Sequence, residues 1–321
     1  MAEARRAPRV KGGRDGAGCA YPSETVSPAD HCVITCAVSG AVADKAQCPG
    51  IPYTPEEYAA EVRRARDAGA AMVHIHAREP SGRPTVSPDH YRAITQAILA
   101  DVPDIIVNFS TGWVGLPMAE RVGHITALRP EIGALNMGSM NYAKYSSGRK
   151  AFVFSFVFAN PFEDIVFLLE RMNEAGVKPE CECFDVGHVE SVWPLIDLGV
   201  IRAPVQFSLI HGVLGGISAT ASNLRHMASV VPEGSTWGVI AVSREQWRMV
   251  EAAASLGGNV RVGFEDNFYV PSGDMAPSNG ELVEAAVAIV RSAGREVAEP
   301  DVARSILSLP PEPDRSALRA P

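Results

Sequence analysis

Ala71-Met72-Val73-His74-Ile75-His76-Ala77-Arg78 is the stretch whose reading decides the fold. It is an apolar run that ends in two histidines spaced two apart, followed by a charge. In a β-strand, side chains two apart share a face, and their Cα atoms lie about 6.5 Å from each other. Both imidazoles can therefore converge on one ion at the strand's end. Far downstream, Arg261-Val262-Gly263-Phe264-Glu265-Asp266-Asn267 also closes an apolar run. Two histidines and one carboxylate, with a position left open, form the ligand set of a catalytic zinc. The segments between must then bring the ends of an early and a late strand together.

Working outward, the same beat recurs. Residues 31–38 read as a buried first strand, closed by Ser39-Gly40. Thr54-Pro55-Glu56-Glu57 reads as a helix start, with Thr54 as N-cap, Pro55 in the first turn and Glu57 completing a capping box. That helix runs to about Ala68 and stops at Gly69. Strand 71–77 follows, then a helix from near Ser87-Pro88-Asp89. Residues 104–109 and 131–136 are the third and fourth strands, and 151–158 an extra strand or covering segment. A helix spans Phe162 to about Ala175. Later strands are 180–185, 204–209, 236–242 and 259–263, each followed by helical sequence. A final helix runs from Asn279 to about Ser292, with Leu282, Ala285, Ala286, Ile289 and Val290 at helical spacing. Eight strands alternating with helices predict an α/β fold, the (β/α)8 TIM barrel. The rival is a doubly wound open sheet. Against it, the polar clusters follow many strands, as around a closed rim, and no Gly-rich fingerprint follows the first strand; Gly212, Gly215 and Gly216 lie late.

The chain of 321 residues is 46% hydrophobic and 21% charged, the balance of a soluble globular protein. Its net charge of −8 argues against nucleic acid or an anionic membrane as a partner. No apolar run is long enough for a membrane span. The six cysteines form no C-x-x-C pair, and no signal peptide precedes them, so reduced thiols in the cytoplasm are expected. Residues 1–30, with five basic residues, four glycines and three prolines, read as a disordered tail. A mitochondrial presequence is the alternative, spoiled by Glu3, Asp15 and the glycines. Residues 31–309 form the single catalytic domain, and the Pro-rich stretch 310–321 is expected to be loose.

Each chemical candidate has a plainer alternative. A lone histidine at a strand end is usually structural, but two on one face of an apolar strand are harder to assign to packing. Glu265 alone would be an ordinary loop acid; its place after a late strand makes it a third-ligand candidate. Arg261 and Asp266 could be a rim salt bridge, or, beside a metal, a base with a charge-stabilising partner. Ser110 and Thr111 could merely cap a helix. Glu182 could be a buried, paired structural acid.

At these residues the chain resembles the β-keto acid cleavage enzymes. The resemblance rests on residues 34–41, Tyr53-Thr54-Pro55-Glu56-Glu57, His74-Ile75-His76, Ser110-Thr111-Gly112, Leu135-Asn136-Met137-Gly138-Ser139, the run from Gly257 to Asn267, and Ser278-Asn279. It implies a zinc-dependent cytoplasmic barrel enzyme, a homotetramer, that converts a β-keto acid and acetyl-CoA into acetoacetate and a new acyl-CoA. It also implies zinc on His74, His76 and Glu265, with Arg261 and Asp266 as the catalytic pair. Ser110, Thr111, Gly112, Asn136 and Glu182 would line the site. Family descriptions give deprotonation to the arginine; with a pKa above about 12 it is the costlier base, and Asp266 is the cheaper one.

The chain departs at three places from the pattern of the family's best-known member. Val42 stands where an acid would receive an amino group, Trp113 stands where a small residue is common, and Ala134 replaces a hydroxyl residue. A substrate tail that is uncharged and largely apolar is the expectation at Val42 and Trp113. A quaternary ammonium on the Trp113 ring is the variant of it. Two rival readings are an amidohydrolase-type zinc hydrolase and a non-catalytic, metal-stabilised CoA-binding scaffold. The first normally places its histidine pair after the first strand. The second needs no base beside an open metal site.

Overall fold

The computed structural model describes residues 30–319. The expected tail at the N-terminus lies outside the described residues, except for Asp30. Eight parallel strands close a barrel in chain order. They are β1 (Ile34–Ala37), β2 (Met72–Ile75), β3 (Ile106–Ser110), β4 (Ile132–Asn136), β5 (Lys178–Cys183), β6 (Gln206–His211), β7 (Thr236–Ala241) and β8 (Asn259–Val262). Pairing of Val260, Arg261 and Val262 with Ile34, Thr35 and Cys36 closes the ring, which disposes of the open-sheet rival. Closure also sets β8 beside β1 and one strand from β2, so the two clusters of the sequence share one rim.

The helices start and stop where their chemistry dictates. Thr54 and Glu57 form the reciprocal capping box before Pro55–Ala68, and the same device at Ser278 and Glu281 opens Asn279–Ser292. Each such cap is worth about 1 kcal/mol. Helix Asn279–Ser292 buries Leu282, Val283, Ala286 and Val290 and packs on Pro55–Ala68, across the β8–β1 seam; two short helices, Pro300–Ile306 and Ser316–Arg319, follow it.

Alternation along the strands gives the barrel two characters. Val33, Met72, Ile106 and Ile132 fill its floor against Ile306 and Leu307, brought there by helix Pro300–Ile306. Burying each large apolar side chain in this plug contributes roughly 1.5–3 kcal/mol. Above the plug the inward positions turn polar: His74, Asn108, Ser110, Asn136, Glu180, Glu182 and Arg261 are all buried. A buried polar group without partners is costly, so this interior must be bonded within itself or serve a ligand.

Three features go beyond the strand count. Residues 151–158 pair antiparallel with Met140–Ser146 as a hairpin inserted after β4. The C-terminal stretch, expected to be loose, docks instead. Arg315 bonds the Ile105 carbonyl at 2.9 Å and Glu131 at 3.2 Å, and Leu318 is only 3% exposed. Proline content misled there because two arginine contacts and one apolar anchor outweigh the lack of local structure. The five described cysteines are free and buried, while Cys19 lies outside the described residues. Among the described residues no helix is long and apolar enough to cross a membrane.

Candidate metal and catalytic centre

β2 carries His74, and His76 is the first residue past its end; the two ring centroids lie 5.3 Å apart. The loop after β8 delivers the carboxylate that meets them. Gly263, at φ 136°, makes the turn; a Cβ there would sit 2.2 Å from the Ala37 carbonyl oxygen. The Glu265 amide donates to that carbonyl, at 3.1 Å. Gly40 packs so closely on Glu265 that its own Cβ would fall 2.7 Å from Cγ. Held in this way, Glu265 sets one oxygen 3.6 Å from His74 Nε2 and the other 3.5 Å from His76 Nε2.

The donor set fits a divalent ion. The ligand atoms of His74, His76 and Glu265 all lie within 4.8 Å of one another. Both ring nitrogens of His74 and Oε2 of Glu265 are buried without a hydrogen-bond partner. Burial, reinforced by Arg261, pushes His74 well below the ordinary imidazole range, which favours the neutral ring that binds metals. Burial would raise Glu265, but Arg261 and the two histidines hold it well below the usual carboxylate range. Imidazole with carboxylate, one position open, suits zinc.

Arg261, from inside β8, is the hub beside this group. Its Nε donates to Asp266 Oδ2 at 2.9 Å and Nη2 to Asp266 Oδ1 at 3.1 Å, a bidentate clamp. Nη2 also lies 2.7 Å from Glu265, and Nη1 3.4 Å from Glu182. Asn136 Nδ2 donates to the other Glu182 oxygen at 2.6 Å. Three carboxylates thus surround one guanidinium. Burial, added to by Glu180, Glu265 and Asp266, pushes Glu182 up to about 8 despite Arg261. Asp266 rises to about 6, burial and Glu265 outweighing Arg261. A divalent cation would offset the surplus negative charge.

The remaining expected residues divide by geometry. Ser110 Oγ accepts from the Gly112 amide at 3.0 Å, and Gly112 also faces Asn136, so these three sit together beside Glu182. Neither Ser110 nor Thr111 caps a helix, because the next one starts at Met118 without a side-chain cap. Thr111 gives its hydroxyl to the Ala134 carbonyl at 2.7 Å, which fastens the loop rather than facing the centre. Trp113 is half-buried in the same loop, while Val42 is 78% exposed after β1. Tyr142, Asn108 and Glu180 were not singled out from sequence. Tyr142, on the hairpin, packs on Phe184 (centroids 6.4 Å apart), and burial with nearby Glu265, Asp266 and Glu182 raises it to about 12. Asn108 carried a readable signal, as an amide between Val107 and Phe109 at an inward position of β3, whereas Glu180 lies in a strand that also holds Lys178 and Glu182 and so stood out less.

His124 supports the centre from outside. Its Nε2 donates to the Ser110 carbonyl at 2.8 Å, and its ring stacks on Tyr91 with centroids 4.2 Å apart. Burial pushes it down to about 4. Unfolded imidazole titrates near 6.5, so between those values the unfolded chain binds the extra proton. The resulting stability is complete above about pH 6.5 and is lost as pH falls toward 4, roughly 2–3 kcal/mol by pH 4.5. Urea denaturation at pH 7 and 4.5 should show this loss for the wild type and a smaller one for His124→Gln. Equal losses would clear His124 of the effect.

Comparison with known proteins now separates the readings left open. The family model described as beta-keto acid cleavage enzyme matches residues 31–309. The chain belongs to that family. It is therefore an enzyme, and the scaffold and amidohydrolase readings fall away. A 3-keto-5-aminohexanoate cleavage enzyme of Fusobacterium nucleatum subsp. nucleatum is 42% identical over 278 residues, 86% of this chain and 97% of that protein. A protein of Rhizobium meliloti named 3-dehydrocarnitine:acetyl-CoA trimethylamine transferase is 33% identical, over 86% of this chain and 96% of its own length. Among solved structures, apo ObcA superposes with a TM-score of 0.66 at 22% identity, covering 81% of this chain and 66% of that one, which supports the barrel alone.

Proposed function

We propose that this member of the β-keto acid cleavage family transfers acyl groups between a β-keto acid and acetyl-CoA. Acetoacetate and a new acyl-CoA are the products. Zinc would be held by His74, His76 and Glu265. When bound, it would supply a positive centre that polarises substrate oxygens and stabilises enolate-like charge. The observation that carries the reading is the Arg261–Asp266 clamp set against the His74–His76–Glu265 group.

Asp266 takes a proton from the carbon between the ketone and the carboxylate. Arg261, always cationic at working pH, holds the developing anion and orients the aspartate. The carbanion attacks the acetyl carbonyl, a carbon–carbon bond forms, and CoA thiolate leaves. That thiolate then attacks the original ketone carbon. The neighbouring carbon–carbon bond breaks, and protonated Asp266 returns its proton to the acetoacetate carbanion. Ser110, Asn136 and Glu182 stand where they can orient the substrate's polar end.

The tail of the β-keto acid is proposed to be uncharged and largely apolar. The hairpin strands, the upper parts of β6 and β7 and the residues just past β5 and β6 contribute a buried apolar wall of Met140, Phe158, Phe184, Ile210, Val213 and Ile240, none of them charged. A buried ammonium or carboxylate against that wall would be unpaired and costly. Val42 brings no charge, and Trp113 leaves room for the quaternary-ammonium variant. The test is steady-state comparison of a short alkyl β-keto acid with amino-, carboxy- and trimethylammonium-tailed analogues, each with acetyl-CoA. The alkyl substrate is expected to win by about tenfold or more in kcat/KM, the size of one or two buried methylenes. Preference for the primary amine or the dicarboxylate would overturn the tail assignment, and preference for trimethylammonium would select Trp113.

The homotetramer implied by the family finds a surface suited to it. The hairpin leaves Tyr145, Phe152, Val153, Phe156 and Val157 exposed, an apolar patch that isolated monomers seldom present. Light scattering should give four chains. Phe152→Glu with Val157→Glu should lower that number, and an unchanged tetramer would remove the hairpin from the interface.

A further inference from the structure

Beneath the histidines lie two buried polar side chains that the chemistry above does not use. Asn108 on β3 is the register partner of His74 on β2, so the two side chains stand next to each other on the inner face. Asn108 is fully buried and Glu180, on β5, is 3% exposed. The amide Nδ2 of Asn108 donates to Glu180 Oε2, and the Ser208 hydroxyl donates to Oε1 at 2.5 Å. Glu180 reaches Asn108 across β4, whose small inward Ala134 pairs with Glu180 in register.

A carboxylate only accepts, so it fixes which end of the amide faces it. With Nδ2 committed to Glu180, Oδ1 must point away, and it is buried with no other hydrogen-bond partner. His74 Nδ1 is likewise buried without one, while Nε2 of the same ring faces Glu265 at 3.6 Å. A neutral imidazole carries one proton, and the nitrogen that carries it cannot bind a metal. A proton received at Nδ1 leaves Nε2 free for the ion.

We propose that Glu180 and Asn108 are positioning residues for the metal centre. Glu180 locks the Asn108 amide, and its oxygen holds the Nδ1 proton of His74, so that Nε2 is presented to the ion. The inference rests on the assignment of His74, His76 and Glu265 as the metal ligands. Outer partners of this kind set both the tautomer and the orientation of a metal-binding histidine.

Zinc affinity of the apoprotein, measured by competition with a chromophoric chelator, reads this role without catalysis. Asn108→Leu and Glu180→Leu should each weaken zinc binding roughly 10–100-fold, and Glu180→Gln, which keeps an acceptor oxygen for Asn108, should stay within about threefold. Circular dichroism of each apoprotein reports its folding. Affinity unchanged in Asn108→Leu, with zinc lost in His74→Ala, would overturn the relay and leave the metal site standing. Full zinc content in His74→Ala would instead overturn the metal site. A crystal structure of the zinc-loaded wild type covers the case of a Leu variant that does not fold. Zinc on Nε2 with Nδ1 bonded to Asn108 Oδ1 is expected, and zinc on Nδ1 overturns the relay.

Discussion

Alanine in place of His74 or His76 is expected to empty the metal site and to lower kcat/KM by about a thousandfold or more. Losing several kcal/mol of charge stabilisation at the reacting oxygens has that effect on rate. The fold should survive, because the barrel's apolar floor and the strand pairing that closes the ring are built from other side chains. Metal analysis after dialysis, paired with circular dichroism, checks both halves of the expectation. The double variant is the decisive sample: a full equivalent of zinc per chain in His74→Ala/His76→Ala protein would sink the ligand assignment.

The second large effect is expected at the Arg261–Asp266 clamp. Asp266→Asn removes the proton acceptor but keeps the shape. Arg261→Lys keeps a charge but loses the planar fork that spans both Asp266 oxygens and reaches Glu265 and Glu182. Each variant should lose turnover by about 10²–10⁴-fold, the usual size of a positioned acid or base, with zinc retained. Because the two side chains act as one unit, the double variant should be little worse than either single one. Multiplying losses would show that they act independently. Retention of zinc matters as much as the rate, since Arg261 also holds Glu265 and a loss of metal would mimic a loss of chemistry.

Much of this protein is written in short-range pattern. The strand period of two sets His74 and His76 on one face, and capping chemistry marks both ends of helix Pro55–Ala68. The alternation of strands and helices announced a parallel α/β sheet, because parallel strands need helical crossovers, while only the pairing of β8 with β1 decided that the sheet closes. Glu265 and Asp266 were legible as a carboxylate pair closing a late strand. The tertiary structure alone decided which of these groups meet. Arg261 reaches Glu182 across 79 residues of sequence, and Asn108 reaches Glu180 across 72, because closure of the ring turns every inward position toward a common axis. Local pattern says which way a side chain points, while the stagger and tilt of the closed sheet say what stands opposite. The docked C-terminus shows the same limit. Its proline-rich sequence has little local preference, and its place is set by Glu131, two backbone carbonyls and a pocket for Leu318 that exist only once the barrel has closed.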